Sequence, residues 1–347
     1  MKTKLFIISL VLMSVLSVQA RERSRVVVSL DADWSFCLGD AADAEKPGFD
    51  DRAWRRLDVP HDWSIEGENL QKNPGGGTVG FFPTGIGWYR KTFSVASLKA
   101  DERYQVEFDG VYMNSTVWLN GHLVGNYPHG YSSFVYDLTP YLVKGKNVIA
   151  VRVDNSQQPN SRWYSGSGIY RHVRLVKTNK VRFAQWGVFN YTKSATDGKA
   201  VVHIESEILN DASKSGRAVV RHQVIDANNK LVAETSKELT LAQSVGQTQE
   251  ITIPNAILWD VDAPYLYTLR SSVIVGGKEV DCVDNVLGVR TIEFDVDKGF
   301  LLNGKHLKMK GVNLHHDGGM TGAAVPIEIW RRRLRTLKSL GVNTIRA

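Results

Sequence analysis

Asp154-Asn155 closes a strand-like run at 148–153, and two readings compete for its carboxylate. Asp and Asn at a strand end bond their own backbone and build a turn. An ionised carboxylate also accepts hydrogen bonds from ligand hydroxyls roughly twice as strongly as a neutral oxygen does. Two adjacent histidines, His315 and His316, follow a second run that starts with 307–309 and continues through Gly311-Val312. No His-Glu-x-x-His or comparable spacing surrounds them, so they do not form a catalytic metal set. Arg346 ends a third run, 342–345, where a guanidinium fork either pairs inside a sheet or supports a functional carboxylate. Asn343, near the start of that run, reads as structural. Trp163 and Tyr164 precede Gly166-Ser167-Gly168, whose glycines permit close backbone approach. Those aromatics either frame a pocket edge or pack one domain on another.

The elements that must carry these residues fall into three segments. From 21 to 178 the pattern is all-β, with period-two runs at 88–93, 104–108, 116–119 and 148–153. Asn120-Gly121 between two such runs is a hairpin signal, because both residues tolerate positive φ. Many short strands with Gly-rich turns predict a sandwich of jelly-roll type. Asn73-Pro74-Gly75-Gly76-Gly77 reads as a surface excursion and lacks the strand-then-helix context of a phosphate loop. Residues 179–290 again alternate, at 201–208, 218–225 and 265–269, with polar turns at 210–213 and Asn228-Asn229. About seven strands in this length predict an immunoglobulin-like sandwich, read as a spacer without convergent polar groups. From 291 a hairpin turning at Asn303-Gly304 leads into a helix begun by Pro326 and ended by Gly341. Ile327, Trp330, Leu334 and Leu337 give that helix one apolar stripe. Strand, helix and strand make a βαβ unit, which requires a parallel pair.

Composition narrows the class further. Hydrophobic content of 43% and charged content of 23% are ordinary for a globular protein. Lys2 and Lys4, an apolar stretch at 5–18 and small residues up to Ala20 read as an export signal over 1–20, too short to span a bilayer. The net charge of +7 is modest, and the one basic cluster, Arg331-Arg332-Arg333-Leu334-Arg335, reads as the wet face of a helix. Nucleic acid is therefore not an expected partner, and neither is a membrane. Cys37 and Cys282 lie far apart and are expected as separate thiols. The 9 Trp, 12 Tyr and 12 Phe serve mostly as core, though a ring face also stacks on the C–H face of a sugar.

Five stretches carry a resemblance. They are Asp58-Val59-Pro60-His61-Asp62-Trp63, Gly85-Ile86-Gly87-Trp88-Tyr89-Arg90, the segment 160–171 around Arg162-Trp163-Tyr164-Ser165-Gly166, Lys310-Gly311-Val312-Asn313-Leu314-His315-His316, and Asn343-Thr344-Ile345-Arg346-Ala347. In this order they resemble family 2 glycoside hydrolases, the group of β-galactosidases, β-glucuronidases and β-mannosidases. The exported β-galactosidase-like members of gut-type bacteria are the nearest likeness. The resemblance implies a sugar-binding jelly roll (21–178), an immunoglobulin-like sandwich (179–290) and the start of a TIM barrel (291–347). An entire barrel needs eight strand–helix units, about 250 residues.

The same resemblance implies roles. Asp154 accepts hydrogen bonds from sugar hydroxyls at the barrel mouth, and His315 binds a hydroxyl. Arg346 supports a catalytic carboxylate, with Asn343 beside it. His316-Asp317 departs from the commoner form of its loop. Retaining glycosidases use two carboxylates about 5–5.5 Å apart, which in this family are glutamates on later strands, one of them in an Asn-Glu pair. Glu293, Glu328 and the reversed Glu68-Asn69 do not fit, so no catalytic residue is assigned within this chain. The expectation is an exported, periplasmic or extracellular, retaining exo-β-glycosidase of β-galactosidase type, present as a fragment without its glutamates and inactive as such. Its substrate would be a terminal β-linked sugar of an oligo- or polysaccharide. A non-catalytic carbohydrate-binding protein, or a β-glucuronidase or β-mannosidase, are the alternatives. No cofactor is evident, although a divalent cation assists some members of the family.

Overall fold

The computed structural model describes residues 24–196, 198–212 and 216–347. The export-signal reading of Lys2, Lys4, 5–18 and Ala20, and Ser213 of the expected turn, lie outside those residues.

Strands β1 (Val26–Ser29), β2 (Trp34–Leu38), β3 (Arg55–Leu57), β4 (Gly85–Val95) and β5 (Glu102–Phe108) open the first sandwich. It continues with β6 (Ser115–Leu119), β7 (His122–Tyr127), β8 (Phe134–Asp137), β9 (Gly145–Asn155) and β10 (Val173–Asn179). One sheet runs β1-β10-β5-β8 and the other β3-β2-β4-β9-β6-β7, all antiparallel. Alternation decides what each face does. On β9, Ile149, Val151 and Val153 enter the core with Trp34, Tyr89 and Phe108. Ala150 turns to the opposite face against Trp88 and Trp118, and Arg152 and Asp154 share its parity. Asn120 and Gly121, at φ 51° and 84°, make the expected hairpin turn between β6 and β7. The glycine-rich excursion tightens into a 3₁₀ turn at Gly76–Val79.

Seven strands form the second sandwich: β11 (Val181–Thr196), β12 (Lys199–Asn210), β13 (Arg217–Ile225), β14 (Leu231–Thr240), β15 (Ser244–Pro254), β16 (Tyr267–Val275) and β17 (Lys278–Leu287). Sheets β11-β12-β15 and β14-β13-β16-β17 enclose a core that includes Phe183, Ile204, Ile208, Val220 and Leu269. Charged clamps join the sandwiches. Arg25 forks onto fully buried Asp281 at 3.0 and 2.8 Å, while Arg103 and Arg182 converge on Asp211 at 3.0 and 2.6 Å. Cys37 and Cys282 are free thiols in different sandwiches.

The third segment holds β18 (Ile292–Asp295), β19 (Gly299–Leu302) and β20 (Lys305–His306), then β21 (Gly311–Asn313), helix α1 (Ile327–Ser339) and β22 (Thr344–Arg346). β21 and β22 pair in parallel, as a βαβ unit requires. The run from 307 is not continuous with β21, contrary to expectation. Asn343 takes the place of a strand neighbour: its side chain accepts from Lys310 N at 2.8 Å and donates to Lys308 O at 3.0 Å. Pro326, expected in the first turn of α1, is instead its N-cap residue, one position before that turn, and Gly341 follows the helix at φ 84°. No residue of α1 is buried; Ile327 is 60% and Leu334 45% exposed.

Candidate functional site at the sandwich–barrel seam

Three of the sequence motifs meet where the first sandwich touches the loop after β21. Their keystone is Asp62, a 2%-exposed carboxylate that sequence reasoning treated only as part of a motif. Its Oδ1 accepts from Ser64 N (3.0 Å) and Ser167 N (2.9 Å); its Oδ2 accepts from the Tyr164 hydroxyl (2.5 Å) and Ala323 N (2.8 Å). Four donors satisfy a buried charge that would otherwise be costly. Ala323 belongs to the barrel segment, so this one side chain staples it to the sandwich. Gly166 (φ 72°) and Gly322 (φ 55°) make room for it, since a Cβ on either would strike the carboxylate. Burial and the Asp62 charge push the Tyr164 phenol far above its ordinary range, which keeps it a proton donor.

Asn155 fixes the loop that carries the aromatics. It is 1% exposed. Its amide donates to Gly166 O (3.2 Å) and Ser167 Oγ (2.8 Å), and its oxygen accepts from Gln158 and Asn160, each at 2.8 Å. The loop thereby divides the two candidate aromatics between the two roles weighed from sequence. Tyr164 packs inward with Ala323, whereas Trp163 stands exposed and donates Nε1–H to the Tyr131 hydroxyl at 2.9 Å.

The two histidines also separate. His315 is exposed and meets Trp163 edge-on, with ring centroids 6.3 Å apart. His316 turns into a box of Tyr131 and Tyr170 and contacts Ser165 O at 3.2 Å. Burial lowers the His316 pKa, which disfavours the charged form of that ring.

Asp154 adopts the strand-end turn: Oδ1 accepts from Ser156 N (3.0 Å) and Ser156 Oγ (2.6 Å), while Oδ2 pairs with Arg152 at 3.1 Å. Burial pulls its pKa upward, but the Ser156 hydrogen bonds and Arg152 outweigh that and hold the carboxyl below its usual value. Two oxygens offer about four acceptor sites, so Oδ2 keeps capacity for a hydroxyl. A contact path joins Asp154 to the histidines. Its N–H bonds Met113 O at 3.0 Å, and Met113 packs against the Tyr112, Tyr170 and Ala323 cluster that Tyr131 also joins. Arg346 pairs in register with Asn313 and is exposed, its carbonyl accepting from Leu314 N. Among the described residues, no group of three or more His, Cys, Asp or Glu is disposed to hold a metal ion. No helix among them is long and apolar enough to cross a membrane.

The seam thus joins a β-sandwich with an aromatic loop to the C-terminal end of a barrel strand, where barrel enzymes build their sites. That is the architecture of a modular carbohydrate-active protein. Family profiles agree: the sugar binding domain of glycosyl hydrolases family 2 matches residues 27–179, the family 2 profile itself 186–290, and the family's TIM barrel domain 294–347. The chain belongs to glycosyl hydrolase family 2. It is 47% identical to the beta-galactosidase BoGH2A of Bacteroides ovatus over 95% of its own length and 38% of that protein's. A family 2 member from Bacteroides cellulosilyticus superposes with a TM-score of 0.89 at 38% identity, over 92% of this chain and 42% of that one. A beta-glucuronidase of Bacteroides uniformis does so with a TM-score of 0.83 at 26% identity, over 93% and 39%. The chain therefore spans about two fifths of the length of these relatives.

Proposed function

We propose that these residues form the substrate-placing front of a retaining exo-β-glycosidase of β-galactosidase type. The observation that carries this reading is the Asp62 staple, which holds Trp163 and His315 together at the end of β21. In this reading an exposed indole offers a face to the apolar side of a terminal sugar. His315 and the free acceptor capacity of Asp154 take its hydroxyls, and Arg346 steadies a carboxylate of the reacting pair. Asn343 has a supporting role, holding the lead-in of β21 through Lys308 and Lys310.

Cleavage with retention needs a nucleophile and an acid/base carboxylate about 5–5.5 Å apart. Asp62 is not one of them, because its four hydrogen bonds and burial leave no approach for a sugar carbon. Asp154 is held by Ser156 and Arg152. We assign neither reacting carboxylate to the 347 residues, and this chain on its own is proposed to be inactive. A divalent cation in the complete enzyme, an oligo- or polysaccharide substrate, and export to the periplasm or beyond belong to the same proposal. β-Glucuronidase is the second reading, supported by the Bacteroides uniformis relative.

The test is hydrolysis of aryl β-galactoside, β-glucuronide and β-mannoside by the product of the complete gene and by the 347-residue chain. Turnover of the galactoside by the former alone is expected. Preference for the glucuronide would favour the second reading, and turnover by the short chain would overturn the absence of the reacting pair.

A further inference from the structure

The second sandwich is more than a spacer. Across the outer face of sheet β11-β12-β15 lies an open groove of about 660 Å³, lined by Trp186, Phe189, Glu205, Glu207, Lys237 and Thr248 among others. None of its lining residues belongs to the seam. We propose that this groove is a second carbohydrate-binding site, one that holds a stretch of neutral glycan away from the hydrolytic centre.

The aromatic side of the groove is built in an unusual way. Between the pairs Phe183↔Ile208 and Val188↔Ser206, residues 184–187 stand opposite the single residue Glu207. Such a bulge re-aims side chains out of the regular pleat. Within it Trp186 sits at φ 53°, a conformation that a bulky L residue rarely adopts, and the residue is 61% exposed. Phe189, two strand positions beyond Gly187, is 58% exposed. A core would bury both rings, whereas Phe189 meets only the half-exposed Tyr191 ring among the ring contacts of the described residues, with centroids 6.0 Å apart. Strained positions such as that of Trp186 gather at ligand sites.

The polar side completes the chemistry. Register places Phe189 beside Glu205 and Glu205 beside Thr248, while Glu207 faces Gly246. Gly246 leaves open space where a side chain would otherwise rise. Aromatic faces on one strand, carboxylate acceptors on the next and a low third strand suit a sugar chain lying flat. Its C–H faces would rest on the rings, and its hydroxyls would donate to the acceptor sites that Glu205 and Glu207 keep beside their contacts with His203 (3.2 Å) and Ser244 Oγ (2.7 Å). Lys237 already donates to Thr248 O at 3.3 Å. Two carboxylates against the single Lys237 ammonium leave the lining net negative, which disfavours uronate-rich or sulfated chains and favours a neutral glycan.

The test is affinity electrophoresis of the chain through gels containing soluble β-1,4-galactan or xyloglucan, with polygalacturonate as the anionic counterpart. The wild-type chain should be retarded by a neutral glycan, and loss of that retardation in variants of the groove's own rings separates this groove from the seam. Phe189→Ala and Trp186→Ala should weaken retardation about tenfold, the loss of one stacking contact, with melting temperature and near-ultraviolet dichroism as folding controls. Should Trp186→Ala misfold, Phe189→Ala on its regular strand position decides the matter. The proposal is overturned by no retardation in either neutral glycan, by full retardation of folded Phe189→Ala, or by equal retardation in polygalacturonate.

Discussion

Asp62→Asn isolates the staple between sandwich and barrel segment. The substitution keeps shape and one oxygen. With that oxygen at the Oδ1 position, Ser64 N and Ser167 N retain their acceptor. The new NH₂ then faces Tyr164 and Ala323. A hydroxyl can rotate and accept, but the Ala323 N–H cannot, so one charge-assisted bond is replaced by two opposed donors. Such a bond is worth about 1.5–3 kcal/mol, and about 1.4 kcal/mol is tenfold in an equilibrium. Local opening at Ala323 should therefore become about ten- to hundredfold more frequent. Hydrogen exchange followed by mass spectrometry on peptides spanning 318–325 reads this directly, with peptides from β13 as the unaffected control. Unchanged protection at 318–325 in a folded Asp62→Asn protein would refute the staple.

Two further outcomes follow from the geometry. His222 is fully buried, its Nδ1 2.8 Å from Ser271 Oγ, and burial lowers its pKa to about 4. The unfolded chain takes up that proton near pH 6.5 and the folded one does not, so the contribution is complete above about 6.5 and shrinks as pH falls toward 4. Its upper bound is about 3 kcal/mol. His222→Gln should flatten that part of the denaturant-midpoint profile between pH 4 and 6.5 relative to wild type, and identical profiles would contradict the assignment. Helix α1 buries no residue and holds Arg331, Arg332, Arg333 and Arg335. Limited trypsin should cut it before either sandwich; early cuts in the sandwiches with α1 intact would count against its being loosely held.

Much of the fold could be read from the sequence because strand alternation is a local signal. The runs at 104–108 and 148–153, the Asn120-Gly121 and Asn303-Gly304 turns and helix α1 each appear close to where sequence pattern places them, although the stripe on α1 is not buried. The break between β20 and β21 was hidden because it depends on Asn343, more than thirty residues away in sequence. Candidate site residues were legible only in part. Asp154 does make the turn that its Asp-Asn pair suggests, and Arg152, two residues earlier on the same strand face, holds its other oxygen, a pairing that alternation also allows. Asp62 stood in a quoted motif, but its role rests on partners at 164, 167 and 323 that meet only in three dimensions. Tyr131 carried no signal beyond residue type, and Asn155 was legible only as half of a strand-end turn pair, not as the residue that fixes the 164–167 loop. The groove on the second sandwich was missed because the bulge at 184–187 violates the alternation used to read the strand.

Substrate placement at the seam is the central claim, and Asp154→Asn tests it in the product of the complete gene. Arg152 keeps its fork on Asp40 at 3.1 and 2.9 Å, so the sheet stays braced while the acceptor charge is lost. The account predicts that kcat/KM on an aryl β-galactoside falls about ten- to hundredfold, the worth of one charge-assisted hydrogen bond, with the melting temperature preserved. An unchanged kcat/KM in the folded variant would contradict it.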